Sequence, residues 1–501
     1  MNWKKRVGIV ALVGVMLCGN VGCNTTKNDV KEVKNVIFMI GDGMGYNAID
    51  AAETLYKKEL KNETLSMKSL PMHGTSITYS MSNQITDSAA GGTALSTGYK
   101  TGNKIVAKSM DKSTDYKTTL ELAAEKGKST GIVVTTPVVD ATPASFTAHV
   151  NNRELYEEIA KQQLEKLEDG TLDLIMGGGQ TYYECDENQS YLKAVEKEGV
   201  TYTKEWKDTQ NAKLPVVGLY AAEELDTTDE SIPSIADMTE YALQQLSADK
   251  DGFFLMVEGA QIDDYAEKNN LQMELKEIYD FDCAVAVAKK YVEEHPDTVL
   301  IVTADHETGD VESPIEQTAE QVLELTTYST ELHTYKSVPV FAMGPRTEEL
   351  KGTHENTEIG IFVANLLGEK EFGQPSKKDT IIEYKADERM EGNYEISAEL
   401  FEEKAETIQA AKVIHITIEN TTDKTVELPT LQFEYKNKQY IVKPQKTYIE
   451  SGETMQVDYP IPEKAWDRKF MDKITDPMLI VKEGSSYLLK KIEVTSRTGI
   501  K

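Results

Sequence analysis

Four short apolar runs punctuate the N-terminal two thirds of the chain: residues 35–40 (NVIFMI), 130–135 (TGIVVT), 252–257 (GFFLMV) and 298–303 (TVLIVT). Nearly unbroken apolar stretches of this length suit strands buried on both faces. Each run leaves into polar residues. The first opens into Gly41-Asp42-Gly43-Met44-Gly45, and the second into the loop 137–143 with Asp140 and Thr142. The third ends at Glu258 and continues to Asp263, and the fourth ends at Ala304-Asp305-His306. Segments 154–167, 235–246 and 273–292 lie between the strands and predict helices, and a further helix-like segment is read as presenting His149 and Arg153. Alternating β and α elements predict an α/β fold, a doubly wound, mostly parallel sheet with helices on both faces. Its polar residues would gather along one edge of the sheet.

A different pattern occupies 86–101 (TDSAAGGTALSTGYKT), where an acid precedes one serine and a run of small residues with helical tendency. Asp87 is placed to cap a helix, which puts Ser88 in its first turn. Unpaired N–H groups and the positive end of the dipole favour an anion and an ionised hydroxyl there. Ser88 is therefore a candidate nucleophile. From about residue 393 the texture changes again. A charged helical stretch, 398–411, leads into short alternating runs at 413–418, 431–435, 439–442 and 454–459. Asn, Asp, Lys and Gly turns separate them, as in a small β-sandwich. The expected division is a catalytic α/β domain over 34–392 and a β-rich accessory domain over 393–501. His415 stands in the second without a cluster of ligands.

Composition narrows the classes. The chain has 501 residues and a formal charge of −30, from 54 basic against 84 acidic residues. Such an acidic surface opposes nucleic acid and anionic bilayers, although bound metal ions reverse the field locally. At the N-terminus Lys4, Lys5 and Arg6 precede the apolar run 7–17, too short for an ordinary membrane span. Val21-Gly22-Cys23 then resembles a bacterial lipobox, with Asn20 where leucine is usual. The expectation is a signal peptide over 1–22, lipidation at Cys23, a polar tether to residue 33 and export to the cell surface. If the lipobox is not used, the chain would be secreted. Cys185 and Cys283 remain, and the sequence leaves open whether they pair.

Taken together, NVIFMIGDGMG, TDSAAGGTALSTGYKT, DATPASFTAHVNNR, GFFLMVEGAQID and VTADHETGD resemble the successive motifs of bacterial alkaline phosphatases. IPSIADMTEYAL and VPVFAMGP are similar to connecting segments of the same family. The resemblance runs from about residue 35 to 367 and not into the C-terminal region. It implies hydrolysis of small phosphate monoesters through a phosphoserine intermediate, at a site with two zinc ions and one magnesium ion. Ser88 matches the nucleophile, and Arg153 the guanidinium that clamps two phosphate oxygens. Asp42, Asp305 and His306 match ligands of the zinc nearest Ser88. Asp42 would also bridge to magnesium with Thr142 and Glu258. Asp140 fits a supporting acid, while Asp263 and His333 match ligands of the other zinc.

One position departs from the family pattern. Glu267 stands where the family has a histidine, four residues after Asp263. Either it ligates, making the second zinc site harder and open to other divalent ions, or it points elsewhere. The remaining histidines, His73, His149, His295, His354 and His415, are read as structural. The segment 307–332 is shorter than in many members, which implies an open site and a monomer, with a dimer as the alternative. Two rival functions remain at this stage: a phosphodiesterase or sulfatase of the wider superfamily, and a surface binding lipoprotein with an impaired site.

Overall fold

In a computed structural model the described residues are 33–61, 63–82, 85–313, 318–374 and the strands between 413 and 491. The expected signal peptide, the tether up to residue 32 and the 398–411 helix lie outside them. The strands from the N-terminal side are β1 (Asn35–Gly41), β2 (Met72–Ile77), β3 (Ser129–Pro137), β4 (Leu174–Gly178), β5 (Thr201–Thr203), β6 (Val216–Leu219), β7 (Phe253–Gly259) and β8 (Thr298–Thr303). Four two-residue strands follow, β9 (Glu307–Thr308), β10 (Val311–Glu312), β11 (Thr327–Tyr328) and β12 (His333–Thr334). Then come β13 (Val338–Met343) and β14 (Gly352–Glu355).

Ten of these form one sheet in the order β14-β2-β13-β8-β1-β7-β3-β4-β6-β5. Only β13 runs against the others, antiparallel to both β8 and β2. The fold class read from the pattern is the one observed.

Every residue of β1 is buried. Val36, Phe38 and Ile40 enter one core, with Phe146, Leu164 and Val363 from helices on that face. Ile37 and Met39 enter the other, with Ile49, Met238 and Phe281. A strand with apolar side chains on both faces can exist only inside such a sandwich, which is why NVIFMI does not alternate.

Strand order decides where the site forms. β8, β1, β7 and β3 are consecutive and parallel, so their C-terminal ends open on one edge. In register, Ile40 pairs with Glu258 on one side and Thr303 on the other. Asp42, Glu258 and Asp305 are thereby neighbours although distant in sequence.

The expected helices at 154–167, 235–246 and 273–292 are found at Tyr156–Asp169, Ile235–Leu246 and Leu271–Glu294. The expectation after β3 needs correcting. A helix spans Ala141–Thr147 and stops before His149. Ala148 turns extended, at φ −148° and ψ 166°, because Val150 exchanges both backbone hydrogen bonds with Val106. Non-local pairing overrides local helical tendency there. His149 and Arg153 stand on that irregular connection.

Near the C-terminus Val413–Glu419 pairs with Thr454–Pro460, and Thr430–Tyr435 pairs with Lys438–Val442. Ile474–Glu483 and Ser486–Lys491 complete a four-stranded antiparallel sheet with the latter pair. Among the described residues, no helix is long and apolar enough to cross a membrane, and Cys185 and Cys283 are free.

Candidate metal and nucleophile site

Ser88 begins the helix Ser88–Thr97. Asp87 caps it, its Oδ1 accepting from Ala90 N at 3.0 Å while its carbonyl accepts from Gly91 N. That leaves the first two N–H groups of the helix, those of Ser88 and Ala89, for an anion. The small residues that follow have a packing reason. A Cβ on Gly91 would lie 2.9 Å from the Asp305 carbonyl oxygen, and one on Gly92 would lie 2.5 Å from Ser145 Oγ. Glycine at these positions lets the helix lie against the exit of β8 and the helix that carries Thr142.

Two donor groups converge beside Ser88. Asp42, Asp305 and His306 present ligand atoms within 4.8 Å of one another, and so do Asp263, His306 and His333. Ser88 Oγ lies 3.2 Å from His306 Nε2. The same nitrogen is 3.3 Å from Asp42 Oδ1 and 3.3 Å from Asp305 Oδ2. Asp305 Oδ1 accepts from the backbone of Gly43 and His306, which aims its other oxygen into the site. His333 sets Nδ1 3.0 Å from the carbonyl of Thr86, so that nitrogen carries the proton and Nε2 is exposed to the site. The rings of His306 and His333 stack with centroids 3.6 Å apart.

Buried acids without partners show what the site can hold. Asp42 Oδ1, Asp305 Oδ2, Thr142 Oγ1 and both oxygens of Glu258 are buried without a hydrogen bond. Burial, then Asp305, pushes Asp42 well above the carboxylate range, and burial, then Asp140, does the same to Glu258. Burial, then Asp263, lifts Asp305 to about 6. Burial also depresses His306, reinforced by His333. Orphaned carboxylates are costly, and divalent cations remove both the orphaned lone pairs and the mutual repulsion. Oxygen donors at Asp42, Thr142 and Glu258 suit a hard ion, and the mixed carboxylate–imidazole groups suit zinc. The residues present fit metal ions.

Arg153 stands beside them, its Nη2 donating to Asp140 Oδ1 at 3.0 Å and its Nη1 3.7 Å from Asp87 Oδ2. Burial works against its charge, but Asp140 and then Asp87 outweigh it and hold the guanidinium cationic. Asp87 also accepts from Lys104 N at 2.8 Å, and Arg153 N donates to the Lys104 carbonyl. One acid thus caps the Ser88 helix and braces the arginine.

The residues singled out in the sequence, Asp140 among them, lie at this edge except Glu267, which stands at the rim. It ends the helix Gln261–Glu267, is 46% exposed, and brings Oε1 to 3.5 Å from His333 Nε2. His73, His149, His295 and His354 each hydrogen-bond a backbone carbonyl away from the donor groups, as a structural role requires. Sequence reading missed Thr308, whose hydroxyl donates to Asp263 Oδ1 and lies 3.2 Å from His306 Nδ1. The signal was faint: two residues after His306 on an extended segment, on the same face.

The family profile described as alkaline phosphatase matches residues 33–327. Alkaline phosphatase 3 of Bacillus subtilis is 32% identical over 421 residues, spanning 68% of this chain and 90% of its own length. The structure of alkaline phosphatase from the Antarctic bacterium TAB5 superposes with a TM-score of 0.61 at 32% identity, covering 69% of this chain and all of that one. A variant of that enzyme with Mg bound in its M3 site gives 0.59 at the same identity and coverage.

Proposed function

The chain belongs to the alkaline phosphatase family and hydrolyses phosphate monoesters, and we propose that it does so through a phosphoserine formed on Ser88. The observation that carries this reading is Ser88 Oγ, at a free helix N-terminus and 3.2 Å from the histidine shared by both donor groups. We assign Asp42, Asp305 and His306 to one zinc, Asp263 and His333 with Glu267 at the rim to a second, and Asp42, Thr142 and Glu258 to magnesium. Bound there, such ions supply acidification of the serine hydroxyl and neutralisation of charge on the leaving oxygen.

The chain's own groups do the rest. Arg153, fixed by Asp140 and Asp87, spends its remaining N–H groups on two phosphoryl oxygens, with the Ser88 and Ala89 N–H groups beside it. Ser88 Oγ gives its proton to solvent water and bonds phosphorus as the bond to the leaving oxygen breaks, and that oxygen takes a proton back from solvent water. Water then attacks the phosphoserine, Ser88 Oγ regains a proton, and inorganic phosphate departs. A clamp for two non-bridging oxygens disfavours a diester, which has one of them esterified. Ser88→Ala should abolish the phosphoserine trapped at low pH and nearly all release of phosphate from a generic aryl ester. A variant that keeps most of its turnover would disprove the assignment.

The division into a catalytic domain over 34–392 and an accessory domain over 393–501 is supported by the change of texture near 393. Every residue assigned to the site lies between 42 and 333. Export and anchoring at Cys23 rest on the Lys4–Arg6 charges, the apolar run and the lipobox-like triplet. Partitioning of the protein into detergent, lost in Cys23→Ser, would test the anchor. The short 307–332 segment supports a monomer, which sedimentation would check.

A further inference from the structure

Thr308 touches both donor groups through one atom. Its Oγ1 donates to Asp263 Oδ1 and sits 3.2 Å from His306 Nδ1. A hydroxyl has one proton to give. With that proton on the carboxylate, the contact to His306 can be a hydrogen bond only if Nδ1 carries the proton and donates to Oγ1. His306 Nε2 is then bare, facing Ser88, Asp42 and Asp305. Asp263 is constrained in the same way. Its Oδ1 is spent on Thr308, which leaves Oδ2, 3.5 Å from His333 Nε2, as the free donor.

The threonine is itself pinned on three sides. Thr308 pairs in register with His333 across β9 and β12, and its N–H donates to the Gly43 carbonyl at 3.0 Å. Gly43, at φ +69°, passes so close that a Cβ there would lie 2.6 Å from Asp263 Oδ1 and 2.9 Å from Thr308 Oγ1. Thr308 is 1% exposed, so water does not compete for its hydroxyl.

We propose that Thr308 is a positioning residue for both donor groups. Its hydroxyl relays one hydrogen-bond chain, His306 Nδ1–H to Thr308 Oγ1–H to Asp263 Oδ1, which fixes the tautomer of His306 and restricts Asp263 to ligation through Oδ2. This rests on the divalent-ion reading given above. Hydrogen-bonded partners behind metal ligands typically change affinity by about 10- to 100-fold when removed.

The test compares the zinc-loaded full chain with Thr308→Val, which keeps the shape and loses the hydroxyl, and Thr308→Ser, which keeps the hydroxyl. Competition with a chromophoric chelator should show zinc held roughly 10- to 100-fold less tightly by the Val variant and largely restored in the Ser variant. In proton NMR of the zinc-loaded protein, the His306 Nδ1–H resonance should be protected from solvent exchange in wild type and Ser, and exchange rapidly in Val. Equal retention in wild type and Val, or a Ser variant as weak as Val, overturns the relay while leaving the metal reading intact. If Val does not fold, a folded Ser variant that has lost protection and zinc overturns it equally. A wild-type chain that takes up no zinc overturns the metal reading and the relay together.

Discussion

Glu267 is where chemistry at a single residue is most exposed to test. With Asp263 and His333 it would form a set of two carboxylates and one imidazole, and its half-exposed position at the end of a helix keeps its own desolvation small. Added negative charge makes bound water less acidic, and the harder donor set discriminates less against competing hard ions. Glu267→His should therefore hold zinc several-fold more tightly against a chelator and turn over faster in zinc-only buffer. Zinc content and rate identical to wild type would place Glu267 outside the ligand set. Its identity, though not its orientation, was legible from spacing after Asp263. The place of Ser88 in the first turn of a helix was legible because capping is local chemistry, needing only Asp87 beside it. Thr308 was not, since its meaning depends on Asp263 and His306 arriving from different strands.

Among the elements, the Ser88–Thr97 helix sets the tolerance of the site. Replacing a mid-helix glycine by alanine ordinarily stabilises by about 1 kcal/mol through helix propensity. At Gly91 the added methyl would meet the Asp305 carbonyl at 2.9 Å and the Asp305 Cβ at 3.1 Å. Backbone cannot move aside cheaply, and overpacking of this kind costs about 1–3 kcal/mol. Overpacking outweighs propensity, so thermal unfolding of Gly91→Ala should occur at a lower temperature than wild type. Turnover should fall too, because the clash pushes the Ser88 helix off the strand exit. A raised melting temperature would show that the close approach relaxes freely. Continuous apolar runs made β1, β3, β7 and β8 readable, since burial on both faces leaves one pattern. The stop at Thr147 was not readable, being set by the pairing of Val150 with the distant Val106.

Across the whole molecule, buried charge away from the site ties stability to pH. His149 Nε2 lies 2.9 Å from Glu121 Oε1, and Lys166 reaches the same oxygen at 2.5 Å. Burial opposes the charge on His149, but Glu121 outweighs it and raises the imidazole above its ordinary value of about 6.5. Burial likewise opposes ionised Glu121, and His149 with Lys166 carries it down to about 2. A raised histidine stabilises fully below its unfolded pKa and loses that contribution as pH climbs through its folded one. The melting-temperature gap between wild type and His149→Gln should be widest near pH 6 and narrow toward about pH 9. A gap independent of pH would mean that the imidazole does not titrate with folding.

The order of the strands has a consequence for how the protein matures. The candidate donors run from Asp42 to His333, and those between them arrive at the ends of three parallel strands, β3, β7 and β8. A chain that ends before residue 306 contains neither of the two carboxylate–imidazole groups complete, and long-range pairing of this kind closes late. Metal capture is therefore a final step of maturation, and an ion that binds only the finished fold deepens that state by mass action. Scarcity of metal would then surface first as a chain more easily unfolded and digested, and only second as a slower catalyst.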